Sequence, residues 1–142
     1  MAGHIFISYS KQDKDFAFQL ADKIEETGRR VWIDRQIEGG ERWRTSIAQA
    51  LREATEMVVV LSPRSISSKW VMHEGSVASG LDKPIYPVQM ELVNPTNLPV
   101  WMEELQYVDF TNQSFDDAFK LLIAALTPPN PRQDMLDQQV KA

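Results

Sequence analysis

No cysteine occurs among the 142 residues. That removes disulfides, thiolate catalysis and cysteine–zinc sites, and it fits a reducing compartment. Histidine is nearly as scarce: His4 and His73 share no metal-ligand spacing, so no metal is expected. Basic residues number 15 against 20 acidic ones, for a net charge of −5. A nucleic-acid partner is therefore not expected, because no surplus of cations is available to neutralise phosphates. Long apolar runs are missing too. The longest, Met57 to Leu61, is far too short to span a bilayer. The N-terminus has neither the basic segment nor the apolar stretch of a signal peptide, and Gly3 is misplaced for myristoylation. No membrane partner is expected, and the cytoplasm is the default location. There is no Walker A sequence, no GxGxxG and no GxSxG. The segment Ser8-Tyr9-Ser10-Lys11-Gln12-Asp13 has no glycine with which to cradle a phosphate.

What is present is the composition of one soluble domain, 43% hydrophobic and 25% charged. Strand-like runs alternate with helical patterns. Ile5-Phe6-Ile7 is the first strand, ending in Ser8 rather than in the acidic residues a receiver domain needs. From about Asp13 to Thr27, Phe16, Leu20 and Ile24 recur every fourth residue, with Ala17 and Ala21 beside them, which predicts a helix stopped by Gly28. Val31 to Asp34 is the second strand. Arg35 to Arg42, with Gly39-Gly40, reads as a loop. Ile47, Ala48, Leu51 and Ala54 make the next helical face.

Met57 to Leu61 is apolar at every position, as in a strand covered on both faces. Ser67 or Ser68 caps a helix running to about Ser79, with Gly80 as its stop. Ile85 to Met90 is the fourth strand. Pro87 is awkward at a central position and predicts a bulge or an irregular end there. Gln106 to Phe110 is a short fifth strand, and Phe115, Phe119, Leu122, Ile123 and Leu126 mark a last helix. Residues 128–142 hold three prolines and few apolar residues, and read as a linker or disordered tail after a domain at 1–127.

Five strands alternating with helices predict an α/β fold: an open parallel sheet of order 2-1-3-4-5 with helices on both faces. In that order the winding reverses between strands 1 and 3, and a crevice opens at their carboxyl ends. Ser8-Tyr9-Ser10, Ser62-Pro63 and the start of the following helix should surround any ligand.

Trp70 and Glu74 lie four residues apart, so they are neighbours on one helical surface at that crevice. An aromatic plane beside a carboxylate suits a nucleotide or glycoside. The ring stacks, and the carboxylate binds ribose hydroxyls or steadies positive charge at an anomeric carbon. The same spacing also fits a core tryptophan with a solvated glutamate. The Arg35–Arg42 loop, followed by Trp43, is either a lid or docking surface or an ordinary connection. Asp34 either positions ligand hydroxyls or caps a turn.

Taken together and in order, these segments resemble the TIR (Toll/interleukin-1 receptor) family. Ile5 to Ser10 is similar to its first box. Val31 to Asp34 with Ile37-Glu38-Gly39-Gly40-Glu41-Arg42-Trp43 resembles its second strand and BB loop. Val58 to Pro63 resembles its third strand, and Ser68-Lys69-Trp70 with Glu74 its αC segment. The likeness covers about residues 4 to 127. It implies a flavodoxin-like fold and a signalling role of the innate-immunity kind.

Receptor and adaptor members mainly assemble with other TIR domains. An enzymatic branch, prokaryotic members included, cleaves NAD⁺ at the nicotinamide–ribose bond by hydrolysis or to cyclic ADP-ribose, and carries a glutamate four residues after a tryptophan. The resemblance thus implies an NAD⁺ nucleosidase with Glu74 catalytic and Trp70 shaping the pocket. It places Ser8, Tyr9, Ser10 and Lys11 against the dinucleotide, and Asp34 with the loop to Trp43 on the nicotinamide side. NAD⁺ enters as substrate, with no further cofactor. Residues 37–42 would be the interaction loop of a homo-oligomer or filament formed on activation. Two other readings stay open: an interaction module without catalysis, and a nucleoside deoxyribosyltransferase-like enzyme. The chain departs from the pattern where Ser10 intervenes before the first cation, Lys11, and in its third box, where Phe110 has no tryptophan beside it.

Overall fold

Five parallel strands form one sheet: β1 (His4–Ser8), β2 (Val31–Ile33), β3 (Ala54–Leu61), β4 (Ile85–Gln89) and β5 (Val108–Asp109), in the order β2-β1-β3-β4-β5. This is the expected order. The helices are α1 (Lys14–Glu26), α2 (Glu41–Glu53), α3 (Pro63–Ile66), α4 (Lys69–Gly80), α5 (Val100–Glu103) and α6 (Phe115–Ala125). The computed structural model describes residues 3–34, 41–103 and 105–128, without the side chains of 41–44 and 103. The expected tail, past residue 128, lies outside the described residues, as does most of the loop at 35–40.

The sheet is sandwiched because its strands alternate which helices they touch. Ile5, Ile7, Val58 and Val60 pack with Leu20 and Ile24 of α1 and Leu122 of α6. Phe6, Met57, Val59 and Leu61 pack with Ile47 and Leu51 of α2, Val71 of α4 and Met102 of α5. Every residue from Met57 to Leu61 is buried, so the unbroken apolar run of β3 is needed on both faces. Burying a side chain such as Phe6 completely is worth about 2–3 kcal/mol.

The boundaries differ from the sequence reading in specific ways. Ala54 starts β3 rather than closing the face of α2; Ala50 takes its place in the core and Ala48 is exposed. Glu41 and Arg42 belong to the first turn of α2 rather than to the loop. The fifth strand shrinks to two residues, and the fourth ends at Gln89.

Pro87 sits in regular register opposite Val59, without the expected bulge. The Met90 N–H donates to the Leu61 carbonyl and the Phe110 N–H to the Gln89 carbonyl, so odd positions of β4 face β5 and even ones face β3. The donor that Pro87 lacks would point towards β5, whose pairing begins only at Val88. No ladder bond is lost.

Candidate active site

The crevice forms where the topology places it. A cavity of about 460 Å³ opens at the carboxyl ends of β1 and β3, and its lining includes Tyr9, Ser10, Lys11, Trp32, Asp34, Arg64, Trp70 and Glu74. Three loops and two helices converge there, α2 through Ile47. The segment after β1 contributes Tyr9 to Gln12, and the end of β2 contributes Asp34. The turn after β3 contributes Arg64, and the first turns of α4 bring Ser68, Trp70 and Glu74.

Ser68 starts α4: its hydroxyl accepts the Val71 N–H, satisfying one of the helix's free donors. From that start, Val71, Glu74, Gly75 and Ala78 form the buried stripe of the helix. Glu74 therefore occupies a core position, with 5% of its surface exposed. A carboxyl there needs partners. The Ser8 hydroxyl, itself buried at the end of β1, donates to Glu74 Oε1 at 2.7 Å, and the Trp70 side chain also hydrogen-bonds to it.

Burial pushes the Glu74 carboxyl up from its ordinary 4.5 to about 8, and the nearby Asp34 carboxylate adds to the rise. The hydrogen bonds from Ser8 and Trp70 act the other way by favouring the charged form. On the far wall, the Tyr9 hydroxyl donates to the backbone carbonyl of Asp34, tying the loop after β1 to the end of β2. A second cavity of about 310 Å³, between α2 and α4, shares Ile47, Trp70 and Glu74 with the first. The indole and the carboxyl thus form part of the partition between two spaces.

A TIR-domain family profile matches residues 5–123. This chain belongs to the TIR domain family. It is 34% identical over 98 residues to the NAD(+) hydrolase TcpC of Escherichia coli O6:H1, a match covering 68% of this chain and 30% of that protein. It is 34% identical over 90 residues to the 2' cyclic ADP-D-ribose synthase AbTIR of Acinetobacter baumannii, covering 59% of this chain and 34% of that one. The chain thus spans about a third of the length of these relatives. The fold is similar to the TIR domain of the Toll-related receptor TRR-2 of Hydra magnipapillata, with a TM-score of 0.71, 18% identity and coverage of 87% of this chain and 96% of that one.

Within this TIR domain, the residues singled out from sequence fall into three groups. Tyr9, Ser10, Lys11, Asp34, Trp70 and Glu74 line one cavity. Ser8 stands behind Glu74, its hydroxyl engaged by the carboxyl. Ile37, Glu38, Gly39 and Gly40 lie outside the described residues, as do the side chains of Glu41, Arg42 and Trp43. His4 is far from the crevice, its Nε2 paired with the Ala50 carbonyl at the start of β1.

Sequence reasoning passed over Trp32, Ile47, Ser68 and Arg64. Trp32 stacks on Phe6 at 4.9 Å, which fixes its ring at the cavity edge. Arg64 follows Ser62-Pro63, in a turn expected at the crevice, but only its tertiary partners single it out. Among the described residues no helix is long and apolar enough to cross a membrane.

Proposed function

We propose that this TIR domain cleaves NAD⁺ at its nicotinamide–ribose bond, with Glu74 as the catalytic carboxylate. The observation that carries the reading is a glutamate buried at a core position of α4 and facing a cavity at the winding reversal of the sheet. A carboxyl at such a site is costly to the fold, and groups so perturbed concentrate where chemistry is done. The printed activities of the relatives, an NAD(+) hydrolase and a 2' cyclic ADP-D-ribose synthase, support the same substrate.

Among its own neighbours the carboxyl keeps its proton at pH 7. The cationic nicotinamide riboside brought against it favours the ionised form, since an opposite charge within a few ångströms lowers a carboxyl pKa. The carboxylate then binds ribose hydroxyls and faces the anomeric carbon. As the C–N bond breaks, its electron pair returns to the pyridinium ring. Nicotinamide leaves neutral, so no strong acid is required. Positive charge moves to the sugar, where Glu74 steadies it electrostatically. Water captures the sugar to give ADP-ribose and a proton, or a hydroxyl on the adenosine side captures it to give a cyclic product. Ser8 and Trp70 hold the carboxyl in place throughout.

Self-assembly of TIR domains through residues 37–42 belongs to this reading and rests on the family resemblance alone. The test is nicotinamide release by wild type against Glu74→Ala at high protein concentration, with a forced-oligomer fusion of each. Release by wild type in either form and loss in both Glu74→Ala forms is the expected result. Silence from the fused wild type would leave a docking domain. Base exchange between deoxynucleosides would make it a deoxyribosyltransferase.

A further inference from the structure

Arg64 is the one cation that a loop other than the one after β1 brings to the cavity wall among its described lining residues. Its position is set by two neighbours. Ser62 and Ser65 form a reciprocal capping box that fixes the turn α3 directly after β3. Arg64 Nε then donates to Asp13 Oδ1 at 2.6 Å, and Nη2 to Glu91 Oε2 at 2.5 Å. Asp13 is almost wholly buried and accepts the Ser62 hydroxyl as well, at 2.5 Å. It closes the single 3-10 turn Lys11–Asp13, so the guanidinium is moored to the turn that carries Lys11. The cavity thus brings together two cations and two carboxyls. Lys11 and Arg64 line it from the loops after β1 and β3, whereas Asp34 and Glu74 line it from the end of β2 and from α4.

We propose that Arg64 is a specificity-determining residue that, with Lys11, binds the pyrophosphate of the dinucleotide, exchanging Glu91 for a phosphate oxygen. The assignment rests on the NAD⁺ reading and adds to it the residue that recognises the anionic half of the substrate. The substrate is divided by charge, a pyridinium at one end and two phosphates in the middle. Lys11 and Arg64, from the loops after β1 and β3, suit the two phosphates, and Asp34 and Glu74 suit the pyridinium end.

The two partners of Arg64 differ in kind. Asp13 is 1% exposed at its side chain and doubly bonded, so it stays as the mooring. Glu91 is 51% exposed, and an exposed ion pair holds weakly. It is the partner that can be displaced. A guanidinium presents donors on more than one edge, so Arg64 can keep Asp13 and take a phosphate together. This also answers the departure after β1. Only Lys11 is basic there, and the second cation comes from the turn after β3, 51 residues beyond the Asp13 that moors it.

The experiment is titration calorimetry of ADP-ribose and of phosphate-free adenosine with wild type, Arg64→Gln and Glu91→Gln. Arg64→Gln should weaken ADP-ribose by about tenfold or more, as for a lost charge-assisted hydrogen bond, and leave adenosine unchanged. Glu91→Gln removes only the competitor and should strengthen ADP-ribose about two- to fivefold. It also covers the case in which Arg64→Gln, by stripping Asp13 of its cation, fails to fold. Equal Kd values for ADP-ribose in all three proteins, or equal losses for ADP-ribose and adenosine, overturn the assignment. An unchanged Kd in Glu91→Gln removes the exchange. Arg64-dependent binding of ADP-ribose without any nicotinamide release would keep this site and discard NAD⁺ cleavage, whereas release with no Arg64 dependence would do the reverse.

Discussion

The Ser8 hydroxyl donates to Glu74 Oε1 at 2.7 Å, joining the last residue of β1 to the middle of α4 across 66 residues of sequence. Both residues are buried. The bond favours the charged carboxyl against the burial that opposes it. Ser8→Ala should therefore push the Glu74 carboxyl still higher. Nicotinamide release at pH 7 should fall roughly tenfold, the scale of a lost hydrogen bond to a charged group. The diagnostic is recovery: activity should climb back towards wild type as pH rises, because the base form is then populated. A loss of equal size at every pH would mean that Ser8 serves the fold and not the carboxyl.

Trp70 has two separable roles, a ring on the cavity wall and a hydrogen bond to Glu74. Trp70→Phe keeps an aromatic plane and removes the indole N–H. The pH profile of nicotinamide release should then move up, as for Ser8→Ala, with KM for NAD⁺ little changed. Trp70→Ala should lose both and raise KM as well. If Trp70→Phe left the profile in place, the ring alone would be the contribution of this residue.

The sheet was legible because each strand had to satisfy a separate local rule. Met57 to Leu61 is apolar throughout since both of its faces meet helices, and the alternation of runs and periodic stretches then leaves few topologies. Edges were less legible. Ala54 fits a helical stripe and a strand equally well, and only pairing with His4 decides it. Within the site, Trp70 and Glu74 are readable from spacing on one helix. That spacing left open a solvated glutamate, and its core position shows only once Val71, Gly75 and Ala78 are seen buried on the same stripe. Arg64 was not readable. Its partners Asp13 and Glu91 lie on other loops, and no local pattern marks a residue whose role depends on three strand ends meeting.

Gly75 is next to Glu74 because α5 leaves no room for a side chain. A Cβ there would stand 2.3 Å from Cη2 of Trp101. Gly75→Ala should destabilise the domain by about 1–3 kcal/mol, the usual cost of overpacking, with a matching fall in Tm. Gly80, the last residue of the same helix, has nothing within 4 Å of its Cβ position, and Gly80→Ala should be neutral or mildly stabilising. Adding Trp101→Leu to Gly75→Ala should restore part of the loss, so that the two effects are not additive. Equal Tm values for the two alanine variants would show that α4 and α5 separate easily.

Glu74 should set function against stability, and the conflict has a sign that depends on pH. Its carboxyl titrates near 8 in the folded domain against an ordinary value of 4.5. Below about pH 4.5 the folded and unfolded chains both hold the proton, and whatever stability the neutral carboxyl contributes is fully present. As pH rises from there the unfolded chain gives up its proton first, so wild type loses stability until the folded group has titrated as well, past about 8. Glu74→Gln has no proton to lose. The variant should match wild type most closely near pH 4 and exceed it by roughly 2–5 kcal/mol by pH 8 to 9, while nicotinamide release is abolished. Paired urea melts across that range measure the gap, and titrating groups that do not interact with Glu74 cancel between the two proteins. A gap that stayed flat with pH would mean that Glu74 is ionised in the folded domain from the start, and that its burial costs less than its place in α4 implies.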